Sequence, residues 1–361
     1  MARTAIPASQ SRFLAVAVLL TCSAATLFAQ GAAATTEPTR PAVEAVTVVG
    51  ITVSDLDRAV AFFSDVLTFE RVAETRLSGN EFAQLQGLAS PTARAAHLRL
   101  GDEFIELTEF ESPKGRAFPP DSRSNDRWFQ HIAIIVSDMD RAHARLKQHN
   151  VVAASKDGPQ RLPDWNKNAA GIKAFYFRDP DGHYLEVLEF PPDKGDPKWH
   201  RKGSSGVPPA PLFLGIDHTA IVVGDTEASV RFYCDTLGFK VVGGSENYGM
   251  EQADLNNVPG AHLRITTLRA SAGPAIELLE YLEPRDGRPY PPGARSNDVL
   301  HWQTTLLSQN AAALAEKLED QKRSFVSDGV VRLRISPPAA ALQTGFVVRD
   351  PDGHALHIVE R

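Results

Sequence analysis

The sequence predicts an α+β protein, a duplicated domain in which each copy is assembled from two βαβββ units. Three observations carry this. Arg178-Asp179-Pro180-Asp181-Gly182-His183 returns letter for letter as Arg349-Asp350-Pro351-Asp352-Gly353-His354. Short apolar runs flank both copies, so each reads as a β-hairpin around a tight turn; Pro presets φ and Gly accepts a positive φ. Strand–Asp–helix openings also recur, with Asp55, Asp138 and Asp225 each placed as a helix N-cap after an alternating strand.

Taken in order, the chain begins with Arg3 and Arg12 before an apolar run from Phe13 to Ala29, followed by small residues. This is the pattern of a secretory signal peptide over residues 1–30, which places the mature chain in the periplasm or outside the cell. The alternative is an N-terminal anchor; after cleavage no stable membrane span is expected. Thr21 is large for the residue preceding a lipidated Cys22. Cleavage leaves Cys234 as the sole cysteine, so no intrachain disulfide can form. Cys234 reads as a small buried thiol within a helix.

After a polar lead, Val46 to Val53 alternates as a strand. Leu56, Ala59, Val60, Phe63 and Leu67 follow at helical spacing and form one buried stripe. Strand-like runs at 95–100 and 103–110 complete the first unit, and Pro113 to Asp126 is a connector. The second unit opens at His131-Ile132-Ala133-Ile134-Ile135-Val136 and closes with the first hairpin. Residues 191–212, rich in Pro, Gly, Lys and Ser, read as a linker between a domain at 45–190 and a domain at 213–361. The second half repeats the first: Ile276-Glu277-Leu278 answers Ile105-Glu106-Leu107, and Ala261-His262-Leu263-Arg264 answers Ala96-His97-Leu98-Arg99. A net charge of −6 without a Lys/Arg cluster argues against general nucleic-acid binding.

Four βαβββ units with Asp-capped helices, Ile-Glu-Leu strands and Asp-Pro-Asp-Gly-His hairpins resemble the vicinal oxygen chelate superfamily. Its members include glyoxalase I, methylmalonyl-CoA epimerase, bleomycin-resistance proteins and extradiol dioxygenases. The resemblance covers nearly the whole chain after the leader. It implies paired units curled into cups, each holding one divalent metal (Zn, Ni, Co, Mn or Fe). The implied ligands are a His on the first strand of each unit and an acid on the last. The first-strand positions hold Val48, His131, His218 and Gln303; the last-strand positions hold Glu106, Glu186, Glu277 and His357. The first domain is therefore expected to gather Glu106, His131 and Glu186, with Val48 as an apolar fourth wall. The second is expected to gather His218, Glu277 and His357, with Gln303 in the remaining slot. His301 shares the face of Gln303, about 7 Å along the strand.

Three functions follow from the resemblance. The first is a metal-dependent isomerase or lyase of the glyoxalase–epimerase type: an ion holds neighbouring oxygens of a small substrate while Glu106 and Glu186 ligate and move a proton through an enediolate. The second is an extradiol-type dioxygenase using Fe(II). The third is a non-catalytic small-molecule-binding module of the bleomycin-resistance kind. His97 and His262 read as hydrogen-bonded rim or core histidines or substrate contacts. Gln160, Arg161 and Trp165, on a loop without counterpart in the second half, are candidate contacts at the mouth of the first cup. Glu189 and Glu280 read as surface residues. The duplication is expected to replace homodimerisation.

Overall fold

The computed structural model describes residues 42–200, 211–334 and 342–360. The expected signal peptide, Cys22 and residues 201–210 of the linker lie outside the described residues. Four modules follow one another. The first holds β1 (Val43–Val53), α1 (Leu56–Ala61), β2 (Glu70–Leu77), α2 (Asn80–Gln86), β3 (Thr92–Leu100) and β4 (Glu103–Ser112). The second holds β5 (Gln130–Val136), α3 (Met139–Gln148), β6 (Val152–Ala153), β7 (Gln160–Arg161), β8 (Lys173–Arg178) and β9 (Tyr184–Glu189). The third holds β10 (Phe213–Val223), α4 (Thr226–Val230), β11 (Lys240–Asn247), α5 (Met250–Asn256), β12 (His262–Arg269) and β13 (Ala275–Glu283). The fourth holds β14 (Trp302–Ser308), α6 (Ala311–Asp320), β15 (Val331–Arg334), β16 (Leu342–Arg349) and β17 (Ala355–Glu360).

Two polar groups start each main helix. The side chains of Asp55, Asp138, Asp225 and Asn310 accept from the amides of Arg58, Arg141, Ala228 and Ala313 at 3.0, 2.9, 2.9 and 2.9 Å. A glutamate on each module's last strand takes the amide just inside the helix: Glu109 from Leu56 (3.1 Å), Glu189 from Met139 (2.6 Å), Glu280 from Thr226 (3.3 Å) and Glu360 from Ala311 (2.6 Å). Glu189 and Glu280 are thus capping acids rather than surface ones, because the first-turn amides lack partners within the helix. Helices α1 and α4 continue as π-helical turns, Phe62–Val66 and Arg231–Thr236. Cys234 lies half-buried in the second of these, and burial pushes its thiol up.

The modules pair across the halves. One sheet runs β15-β16-β17-β14-β1-β4-β3-β2, which is the fourth module joined to the first. The other runs β11-β12-β13-β10-β5-β9-β8-β6, the third joined to the second, with β7 alongside β8. The joints are antiparallel, β1 with β14 and β5 with β10. Each cup is therefore built of two modules, as expected, but not of two consecutive modules within one half.

What each half keeps to itself is mainly the core behind its helices. Leu56, Phe63 and Leu67 of the first module cluster with Ile132, Ile134, Met139 and Leu146 of the second. Phe232, Tyr233 and Leu237 of the third cluster with Leu314, Leu318 and Phe346 of the fourth. The connectors enforce the crossing. Arg116 grips Asp298 at 2.6 Å, and Arg288 grips Asp126 at 2.7 Å. A Cβ at Gly115 would stand 1.9 Å from the Asn297 carbonyl, and one at Gly287 1.9 Å from that of Asn125. Only glycine lets the two backbones approach so closely.

The duplicated hairpins brace this crossing. Asp179 accepts from the amides of Asp181 and His183, both at 2.9 Å, and its other oxygen meets His183 Nδ1 at 2.8 Å. His183 Nε2 reaches the Val299 carbonyl at 2.6 Å, in the opposite half. Asp350 and His354 repeat the inner contacts, with the ring at 3.0 Å.

Candidate metal centre

The module pairing redistributes the expected ligands. β5 and β10 lie side by side and carry His131 and His218; their parallel neighbours β9 and β13 carry Glu186 and Glu277. All four line one cavity of about 920 Å³. His131 Nε2 stands 3.2 Å from Glu186 Oε2, and His218 Nε2 stands 3.7 Å from that oxygen and 3.4 Å from Glu277 Oε2. The two imidazole rings lie 5.8 Å apart, centre to centre.

The expectation that Glu106 joins His131 and Glu186 is corrected: Glu106 is on β4 in the other sheet. The grouping of His218 and Glu277 with His357 is corrected likewise, since His357 is on β17 with the fourth module. Val48, Glu106, Gln303 and His357 instead share the second cup. A Cβ on Gly50 would stand 2.9 Å from the Gln303 side chain, and the recess by His301 and Gln303 measures about 10 Å³. That is the space of a single water at most. His97 holds Glu106 at 2.8 Å. Burial depresses His357 to about 4, with Glu106 opposing only in part, and burial with the charge of Arg349 depresses His301 to about 3.

The donor set of the open cup fits a divalent ion. Atoms bound tetrahedrally about 2.0–2.2 Å from one ion stand about 3.3–3.6 Å apart, near the separations found here. Neither ring nitrogen of His131 has a hydrogen bond to any described residue, although the residue is buried; its approach to Glu186 is close but not directed as a hydrogen bond. Such an unsatisfied imidazole costs free energy that a cation would recover. On the other side, burial works to lower the His218 pKa, but the charges of Glu277, Asp217 and Glu186 and the Asp217 hydrogen bond outweigh it, pushing the pKa up to about 9. The site attracts positive charge. Among the described residues, one cluster of three or more His, Cys, Asp or Glu side chains has ligand atoms close enough to share a metal: His131, Glu186 and His218.

The rim differs from expectation in its residues. The loop after β7 does reach the open cup, but through Leu162, Lys167, Asn168 and Ala169. Gln160 turns back to the carbonyls of Lys156 and Gly158, and Arg161 pairs with Asp164 at 2.8 Å. Trp165 is exposed and stacks on Tyr248 at 4.3 Å. His262 is not the equivalent of His97. It opens β12 opposite Glu283 and stands 3.4 Å from Glu246. The place of His97 is taken by Thr267, whose hydroxyl donates to Glu277 at 2.9 Å. The Ala-His-Leu-Arg match in sequence is thus out of register with the strands. Asp217 and Arg269 also line the cavity and were not singled out by the sequence.

A curated 2-epi-5-epi-valiolone epimerase from Actinomyces sp is 35% identical over 155 residues, 42% of this chain and 82% of that protein. Among solved structures, a mutant of glyoxalase I from Zea mays superposes with a TM-score of 0.56 at 16% identity, covering 88% of this chain and 92% of that one. Glyoxalase I from Zea mays without a mutation gives a TM-score of 0.51 over the same shares, also at 16% identity. These structures show the fold. The sequence profile of the Glyoxalase/Bleomycin resistance protein/Dioxygenase superfamily matches residues 45–187 and 215–358, and the chain belongs to that superfamily.

Proposed function

We propose that this chain is a divalent-metal-dependent isomerase of the epimerase type, working on a small oxygen-rich substrate in the cup formed by the second and third modules. The observation that carries the reading is the convergence of His131, Glu186 and His218, with Glu277 beside them, in a cavity large enough for a small organic molecule. His131, His218 and Glu186 would hold the ion and leave a position open to substrate, with Glu277 beside it. When bound there, the ion would supply Lewis acidity toward neighbouring substrate oxygens.

The chain's own groups divide the remaining work. Glu186 is buried between the two imidazoles, so it orients and neutralises. Glu277 is more open to the cavity, and the Thr267 hydroxyl fixes one of its oxygens, leaving Oε2 toward His218. It is the carboxylate placed to take a proton from carbon and return it. Glu277 thus replaces Glu106 in the catalytic pair. Leu162, Leu255, Ile265 and Leu279 give the cavity an apolar wall. The epimerase relative supports this reaction class, and one metal-capable His–Glu–His cluster among the described residues supports a single working site.

The test combines metal analysis with solvent exchange. The purified chain should contain close to one equivalent of a divalent ion, removable by chelation. It should also exchange deuterium from D2O into the carbon beside the carbonyl of a hydroxyketone substrate. A fully active chain without metal would sink the proposal. Iron with oxygen consumption would favour the dioxygenase reading, for which two His and one Glu are the usual ligand types. Tight ligand binding without exchange would favour a binding module.

Export is part of the same proposal and rests on Arg3, Arg12 and the apolar run after them. Among the described residues no helix is long and apolar enough to cross a membrane. We also propose that the duplicated chain works without a second copy, because each sheet already joins two modules.

A further inference from the structure

The two histidines of the open cup are not held alike. His131 follows Gln130, whose amide donates to Thr219 Oγ1 at 3.0 Å and leaves the imidazole without a hydrogen-bond partner among the described residues. His218 follows Asp217, and here the strand is irregular. Pairing of β10 with β5 passes from Ile216–Ile134 to His218–Ala133, so Asp217 is an extra residue in its strand. Neighbours along a regular strand point to opposite faces, and a bulge breaks that rule and re-aims a side chain. Asp217 Oδ2 accordingly meets His218 Nδ1 at 3.1 Å. β1 has the same irregularity, between Val46 and Val48, but Thr47 occupies the extra position and bonds the Thr305 carbonyl at 3.3 Å. The backbone device occurs in both sheets; only the open cup places a carboxylate on it.

Asp217 is itself held. Its Oδ1 faces Trp199 Nε1 at 3.3 Å and Arg269 Nη2 at 3.4 Å. Trp199 belongs to the 3-10 turn Pro197–His200, in the segment between the two halves. Its ring is buried against Ile135 and Leu188. The preceding residue, Lys198, pairs with Glu103 at 2.5 Å, and Glu103 accepts from the amide of Ile216, just before the bulge.

We propose that Asp217 is a positioning residue that holds the His218 ring with Nε2 turned into the metal centre, and that Trp199 and Arg269 hold Asp217 in turn. This rests on the metal reading above. A carboxylate on the far nitrogen of a ligating imidazole fixes its tautomer and orientation and raises its basicity, and loss of such a partner lowers metal affinity about 10–100-fold. The segment between the halves thereby becomes part of the site. His131, which lacks such a partner among the described residues, is the more adaptable of the two imidazoles.

The experiment is Co²⁺ binding to the full metal-free chain, read by visible absorption and by competition with a chelator. Asp217→Asn keeps the size of the side chain, and Asp217→Ala removes it. Both are expected to weaken Co²⁺ about 10–100-fold in metal-free protein that keeps the wild-type fold by circular dichroism. Trp199→Phe, which deletes the indole donor, is expected to weaken it less, in the same direction. If Asp217→Ala does not fold, the Asn variant decides. Affinities within about twofold of wild type for a folded Asp217 variant, with wild type binding tightly, overturn this inference alone. A wild-type chain that takes up no Co²⁺ overturns the metal reading and this inference with it.

Discussion

At the scale of single residues, the same ligand types have opposite fates in the two cups. His131 and Glu186 meet His218 and Glu277 across the β5–β10 joint; Glu106 and His357 meet Val48 and Gln303 across the β1–β14 joint. His131→Ala is therefore expected to remove the bound metal from the whole chain, whereas Glu106→Gln leaves it in place; metal content after desalting checks both. Acid stability gives a second expectation. His301 and His357 have folded pKa values of about 3 and about 4, below the ordinary histidine value near 6.5. Between those limits the unfolded chain binds more protons than the folded one, so stability rises with pH there. Their contribution is complete above about pH 6.5 and is lost as pH falls toward the folded values. Each adds a slope of at most about 1.4 kcal/mol per pH unit. His301→Gln should flatten the fall in melting midpoint between about pH 6 and pH 4, and an unchanged profile would show that this ring does not titrate as argued. The candidate ligand positions are all legible through the resemblance: the first-strand ones precede each helix cap by a constant spacing, and the last-strand ones lie in the Ile-Glu-Leu strands and the second strands of the duplicated hairpins. Which four meet is not legible, because that depends on pairing between strands far apart in the chain.

At the scale of elements, legibility follows amphipathicity. β1, α1 and β5 are clear because Val49, Ile51, Leu56, Phe63 and Ile134 recur at strand or helix period and are all buried. β2 and α2 leave no such trace. Glu70 to Leu77 lies at a sheet edge, with most side chains in solvent, so it carries little apolar alternation. The capping acids Glu109, Glu189, Glu280 and Glu360 do not announce their role in the sequence, because their partners are amides of a helix on another segment. A direct test is available at α4. Asp225→Ala removes the side chain that accepts from Ala228 and should cost about 1 kcal/mol in denaturant unfolding. Glu280→Ala removes the acceptor for Thr226 in the same first turn. Its loss leaves an amide in a buried setting and should cost at least as much. If both variants unfold at the wild-type midpoint, the first turn of α4 is not held by these caps.

At the scale of the whole molecule, sequence order and spatial order answer different needs. Consecutive modules share the apolar core behind their helices, while pairings across the halves build the cups. A half such as residues 45–190 can therefore bury much of its helix-side core, yet it leaves β1 and β5 as unpaired edges. Such edges invite association. The half also owns only His131 and Glu186 of the metal site. The two halves, produced as separate chains with the connecting segment cut, are expected to recombine one to one, through both antiparallel joints and the Arg116–Asp298 and Arg288–Asp126 clasps. The recombined pair should recover the metal that neither half holds as a monomer. Size-exclusion chromatography with metal analysis of each peak measures this. A monomeric half carrying a stoichiometric, chelator-resistant ion would contradict the assignment of the centre to the β5–β10 joint. Arg288→Ala in the intact chain should weaken the same joint from a distance. Asp126 is fully buried, and removal of its bidentate partner strips a buried carboxylate of its main counter-charge. The loss should be about 3 kcal/mol, the low end for a broken buried pair, because the Arg288 side chain itself is partly exposed. Asp126 lies in the connector that leads into β5, so this variant should lower metal affinity as well as stability. Arg76→Ala, which breaks an exposed pair with Glu111, should change neither by a measurable amount.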